Sequence, residues 1–192
     1  MIRAIAKTFK GGIHPPGHKT PTSSKAIETL PLPARVVIPL QQHIGRISEA
    51  IVEIGERVLR GQPLSKPMGP VSVSSHASLS GTVKAIESFP HPLGQVVPAV
   101  VIESDGLDEP YLDYACDEKY LSFSPEEMKN RIADAGITGM GGATFPTHVK
   151  LMPPEDKPID TVILNGAECE PYLTSDHRLM LESPQDILKG LR

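Results

Sequence analysis

The chain has 192 residues, enough for one large domain or two small ones with a proper core. Hydrophobic residues at 39% and charged residues at 22% read as a soluble globular protein, and no apolar run approaches the roughly 18 residues of a spanning helix, so membrane association would run through partners. A net charge of −4, with no Lys/Arg stripe and only four Phe and four Tyr, argues against a nucleic-acid-binding protein.

Two cysteines, Cys116 and Cys169, are too few for an iron–sulfur cluster or a Cys-rich zinc site. Nothing resembles a secretory signal peptide, so a reducing cytosolic setting is the default. The 20 prolines cluster before residue 100, which predicts loops and short strands in that half.

Residues 1–29 predict an irregular arm lying on the rest of the molecule. Its run Phe9-Lys10-Gly11-Gly12-Ile13-His14-Pro15-Pro16-Gly17-His18-Lys19 has no periodicity and is extended and turn-prone. His14 and His18 stand four apart, but the prolines between them remove the helix that would make them a metal pair.

Residues 30–105 predict a β domain. Arg35–Leu40, the stretch after the turn at Gly55, Ser80–Ile86 and Val96–Glu103 read as short strands separated by glycine turns, as in a small sandwich or flattened barrel. Gly-x-x-Val-x-x-Gly-Gln-x-Leu, then Ser-Gly-Thr-Val-x-x-Ile, resembles the barrel-sandwich hybrid of biotinyl and lipoyl carrier domains. The lysine between the two motifs, Lys66, stands beside a proline rather than at a hairpin tip, so the fold is expected without its swinging arm.

Residues 106–123 read as an acidic connector. Residues 124–192 open with a helix capped by Ser124, with Pro125 at its first position, Glu126 and Glu127 at its positive end, and Gly136 as its stop. The loop Gly139-Met140-Gly141-Gly142-Ala143-Thr144-Phe145-Pro146 follows. Three glycines in four residues, then Thr144 and Lys150, have the chemistry of a phosphate cradle. A helix precedes these glycines, so the ordinary Rossmann fingerprint is the wrong reading. Further on, Ile159–Asn165 predicts a buried parallel strand, and two more helices are expected at Asp176–Glu182 and after Ser183-Pro184. Ligands in α/β sheets lie beyond strand carboxyl ends, which would face Asn165, Glu168 and Glu170 toward whatever the glycine loop holds.

Gly-x-Gly-Gly-Ala-x-Phe-Pro-Thr followed by Asn-x-x-Glu-x-Glu-Pro resembles the FMN- and NADH-binding subunit of respiratory complex I. The runs Gly11–Pro16, Ile38–Gly45, Phe145–Lys150 and Leu164–Met180 more closely resemble the C subunit of the Rnf (Rsx) ion-translocating electron-transport complex. The resemblance implies a mixed α+β chain, in which a barrel-sandwich-hybrid-like β domain is followed by the start of an α/β flavin-binding domain. It also implies a peripheral subunit on the cytoplasmic side of the bacterial inner membrane, bound to other subunits of the complex. That subunit takes electrons from NADH on FMN and passes them to 4Fe–4S clusters.

By the same resemblance Gly139, Gly141 and Gly142 bound the FMN phosphate and ribityl chain, with Lys150 and Asn165 also on the flavin. Phe145 either stacks on the dinucleotide or anchors the core, and Glu168 and Glu170 line the dinucleotide entrance. Thr144 stands where both families usually carry Gly, so its Cβ crowds the ligand or its hydroxyl bonds a phosphate oxygen. The cluster motifs of the family do not occur in these residues, which reads as an N-terminal portion with its flavin site begun and not completed. The competing reading is a non-catalytic scaffold whose β domain and arm dock other subunits.

Overall fold

The computed structural model describes residues 13, 15–112, 118–140 and 143–191. The chain divides into two compact units, Leu30–Ile159 and the described part of Met1–Thr29 together with Asp160–Arg192.

The larger unit is built on an antiparallel sheet of β1 (Arg35–Pro39), β6 (Val96–Ser104), β5 (Gly81–Pro90) and β3 (Arg57–Val58), in that order. A second, two-stranded sheet pairs β2 (Glu49–Ala50) with β4 (Ser65–Lys66). Strand β6 is bonded on both sides, to β1 and β5, and is rich in Val and Ile, as suits a strand covered on both faces. A bulge at Lys84 shifts the β5–β6 register between Val83 and Ala85. The core gathers side chains from many short pieces: Leu40, Val52, Val58, Leu64, Leu79, Val83, Val100 and Ile102 are all buried together. The barrel-sandwich-hybrid-like architecture expected from the turn-and-strand rhythm is therefore present, with β2 and β4 as additions too short to show in the sequence pattern. Lys66 lies on β4, with its ammonium 3.1 Å from Glu49.

Helix α1 (Pro125–Asp134) starts at a capping box. The Ser124 hydroxyl accepts from the Glu127 amide at 3.2 Å, and the Ser124 amide donates to the Glu127 carboxylate at 2.7 Å. It ends in a Schellman arrangement: Gly136 has φ +67 and the Ile137 amide reaches back to the Ile132 carbonyl at 3.2 Å. A Cβ on Gly136 would stand 2.5 Å from the Ser74 carbonyl, so glycine is needed here both for its φ and for this close approach. The His76 Nε2–H donates to the Asp134 carbonyl at 2.9 Å, tying the helix end to the β domain. Helix α2 (Thr147–Lys150) follows the glycine loop.

In the smaller unit, α3 (Ser175–Glu182) and α4 (Pro184–Leu191) form where helices are expected, at Asp176–Glu182 and after Ser183-Pro184. The strand expected over Ile159–Asn165 does not form. Its residues are irregular, and Ile159, Val162 and Ile163 are 62%, 73% and 82% exposed. The apolar run signals burial, but a strand needs a hydrogen-bonded neighbour, and among the described residues none pairs with this segment. The arm is irregular, as expected, and it lies along residues 170–182: the Tyr172 amide donates to the Gly17 carbonyl at 2.8 Å and the Ile27 amide to the Glu182 carboxylate at 3.1 Å. Phe9–Gly12, His14, Cys116, Gly141 and Gly142 lie outside the described residues.

Candidate flavin and dinucleotide site

The glycine loop is pinched shut at its neck. The Gly139 amide donates to the Phe145 carbonyl at 3.0 Å, the Thr147 amide to the Ile137 carbonyl at 2.9 Å, and Thr138 bridges Pro146 in antiparallel fashion. Pro146 is fully buried at this neck and leads straight into α2. A helix of four residues carries little dipole of its own, so the positive charge at this loop comes from the lysine rather than from the helix start.

Lys150 folds back over the loop. Its Nζ lies 2.6 Å from where a Cβ on Gly139 would stand, so glycine at this position makes room for the ammonium. Among the described residues no carboxylate pairs with that ammonium, and Lys150 is exposed. An unpaired cation beside a glycine-bordered loop can hold a phosphate by charge-assisted hydrogen bonds. Thr144 has φ +50, a region that β-branched residues avoid, and its hydroxyl donates to the neighbouring Ala143 carbonyl at 2.7 Å. The backbone there keeps a conformation that suits glycine, although the residue is threonine. Phe145 is half-buried.

On the inner side of the loop a cleft of about 290 Å³ opens between Thr138, Met140 and Thr144 and the β-domain residues Gln42, Ser74 and His76. Burial pushes the His76 imidazole below its usual value, against the pull of its bonds to the Asp134 and Ser74 backbone. His43, buried at the same wall, lies with Nδ1 2.9 Å from the Ile44 carbonyl while Nε2 accepts from the Val73 amide at 3.2 Å, so it is a structural histidine.

The remaining sequence-derived candidates belong to the smaller unit. Without a strand before them, Asn165, Glu168 and Glu170 lie in an irregular loop leading to α3 rather than at a strand's carboxyl end. The Asn165 Oδ1 accepts from the Ala167 amide at 3.0 Å, a local turn. The Glu168 carboxylate accepts from the amides of Asp176 and His177 at 2.8 and 3.1 Å, so it caps α3. Among the described residues the Glu170 carboxylate has no such local bond, whereas its carbonyl accepts from Lys19 at 2.7 Å. Cys169 is exposed between the two glutamates. Lys19 received no role from sequence; a lone lysine in a proline-rich arm gives no hint of a carbonyl partner 151 residues away. Among the described residues no group of three or more His, Cys, Asp or Glu is placed to hold a metal ion, and no helix is long and apolar enough to cross a membrane.

Comparison with known proteins gives two family matches. The RnfC barrel sandwich hybrid domain matches residues 7–107, and the Nuo51 FMN-binding domain matches residues 132–192. Three relatives are C subunits of ion-translocating complexes. That of the proton-translocating ferredoxin:NAD(+) oxidoreductase complex of Clostridium ljungdahlii is 47% identical, over 98% of this chain and 41% of its own length. That of the Na(+)-translocating ferredoxin:NAD(+) oxidoreductase complex of Acetobacterium woodii is 48% identical, over 96% and 42%. That of the ion-translocating oxidoreductase complex of Rhodobacter capsulatus is 47% identical, over 96% and 36%. The chain thus spans about two fifths of the length of these relatives. With a barrel-sandwich-hybrid fold in the residues that the first match covers, and relatives aligned over nearly its whole length, the chain belongs to the RnfC family.

Proposed function

We propose that this chain supplies the phosphate-holding part of an FMN site in a peripheral subunit of an ion-translocating electron-transport complex, where NADH and FMN exchange electrons. The observation that carries the reading is the Lys150 ammonium folded over Gly139, with no carboxylate among the described residues to neutralise it. FMN ends in a dianionic phosphate, and a cation at a glycine-rich loop matches the charge of that end of the molecule. Met140 and Thr144 of the same loop line a cleft with room for a ligand.

Bound FMN supplies the conversion between the electron pair of a hydride and single electrons. The chain's own part is to bind and orient. Lys150 and the glycines hold the phosphate, and Phe145 offers a half-buried aromatic edge beside it. For Asn165, Glu168 and Glu170 the assignment to the flavin and the dinucleotide entrance rests on the family resemblance alone. Of the two glutamates, Glu170 has the carboxylate left over for a ribose or carboxamide, since Glu168 is spent on α3. A 4Fe–4S cluster takes four cysteine thiolates and this chain has two cysteines, so electrons pass on to clusters whose ligands lie elsewhere than in these residues. The partners are other subunits of the complex, on the cytoplasmic face of the bacterial inner membrane.

The test is the flavin carried by the protein as its gene encodes it. Acid release is expected to yield FMN, and anaerobic NADH is expected to bleach the bound flavin. Protein that is purified without flavin and takes none up on titration would sink the reading.

A further inference from the structure

The loop from Asn165 to Thr174 contains no regular structure, and its middle is fixed by the N-terminal arm rather than by its own neighbours. Lys19 lies at the centre of this contact. Its ammonium donates to the carbonyls of Glu170 and Leu173 at 2.7 and 2.6 Å, so one cation clamps both ends of the turn Glu170-Pro171-Tyr172-Leu173. The turn's own amide at Tyr172 donates to the Gly17 carbonyl at 2.8 Å, and the Thr174 hydroxyl donates to the Thr22 hydroxyl at 2.8 Å.

A second, independent feature marks the same contact. His18 and Tyr172 stack with ring centroids 4.9 Å apart and 11° between planes, and both hold positive φ, +49 and +69. Residues other than glycine stay in that region only where their surroundings over-determine them, and such strain gathers at sites that must be preformed. Here the strain sits on both sides of one clasp, immediately before Lys19 and two residues after Glu170.

We propose that Lys19 is a positioning residue for the Glu168–Glu170 loop, holding it in the shape that receives the dinucleotide. The proposal rests on the dinucleotide reading given above. An ammonium suits this role because its donors satisfy two carbonyls three residues apart, which a neutral side chain of that length cannot do. Without it the turn must be ordered each time NADH binds, and that cost appears as lost affinity.

Lys19→Met keeps an unbranched side chain, one atom shorter, and removes the charge, while Lys19→Arg keeps the charge on a longer side chain. In the protein as its gene encodes it, Lys19→Met is expected to speed amide exchange at Tyr172 and to weaken equilibrium NADH binding, read by its fluorescence, by about tenfold through the added ordering cost. FMN retention and the melting of the β domain stay unchanged, and Lys19→Arg restores both the exchange rate and the affinity. Unchanged exchange at Tyr172, or faster exchange with unaltered NADH affinity, overturns the positioning role. Lys150→Ala serves as the reference: if it loses flavin while Lys19→Met binds NADH normally, only the present proposal falls. If Lys150→Ala keeps its flavin, or the wild type binds no NADH, the parent reading falls with it.

Discussion

A Cβ added to Gly139 would stand 2.6 Å from the Lys150 Nζ, closer than real Cβ contacts come. The atom in the way is the far end of a flexible side chain, so the backbone has no reason to move. Gly139→Ala is therefore expected to keep stability within about 1 kcal/mol of the wild type, since alanine also restricts the unfolded chain. The ammonium, by contrast, must swing away from the loop. FMN affinity is expected to fall by a part of the roughly 1.5–3 kcal/mol that a hydrogen bond to a charged group is worth. Parallel denaturation and flavin titration check this; a large loss of stability would show that Gly139 serves the fold instead.

Thr144 offers the opposite case. At φ +50 a β-branched residue carries about 1–2 kcal/mol of local strain, while glycine there costs roughly 0.5–1 kcal/mol in unfolded-state entropy. Thr144→Gly is expected to stabilise the larger unit by about 0.5–1 kcal/mol, the difference between those two effects. The midpoint of urea unfolding should rise. A lowered midpoint would mean that the threonine hydroxyl makes a contact worth more than the strain.

Asp105 gives the β domain an acid-sensitive joint. Its carboxylate accepts from the buried Ser80 hydroxyl at 2.6 Å and the Leu107 amide at 3.0 Å, and it meets Arg57 at 2.8 Å. The Ser80 bond first, then the Leu107 amide, then Arg57 hold its pKa at about 2, below the ordinary 3.8. A folded value below the unfolded one means that the carboxylate contributes stability above pH 3.8, and that this contribution disappears as the pH falls toward 2. Ser80→Ala removes the largest of these causes. The acid limb of its stability profile should therefore be shallower between those two pH values than that of the wild type. Identical acid limbs in the two proteins would contradict this.

The sequence made the β domain and α1 legible because their signals are local. Strand-length Val/Ile runs, glycine turns and the Ser124–Glu127 box each act within a few residues, and β1, β5, β6 and α1 form where those signals lie. Ile159–Asn165 failed because an apolar run reports a wish for burial and says nothing about whether a partner strand is at hand. The Glu168 carboxylate accepts from the first amides of α3, a partnership that spacing does not reveal. The clasp between Lys19 and the Glu170 and Leu173 carbonyls was invisible for a different reason. It joins residues more than 150 positions apart through backbone carbonyls, which every residue has and no motif marks. The glycine loop fell between these cases: its composition, with Lys150 after it, already pointed to a phosphate, while the four-residue length of the helix that follows, too short for much of a dipole, came only from the fold.

The central claim is that Lys150 holds the FMN phosphate, and flavin titration of Lys150→Ala against the wild type tests it most directly. In the protein as its gene encodes it, removal of the ammonium is expected to weaken FMN binding by about 1.5–3 kcal/mol, with the fold unchanged because the side chain is exposed and pairs with no carboxylate among the described residues. The loss should be smaller for riboflavin, which lacks the phosphate. Equal FMN affinity in the two proteins, or an equal loss for FMN and riboflavin, would contradict the account.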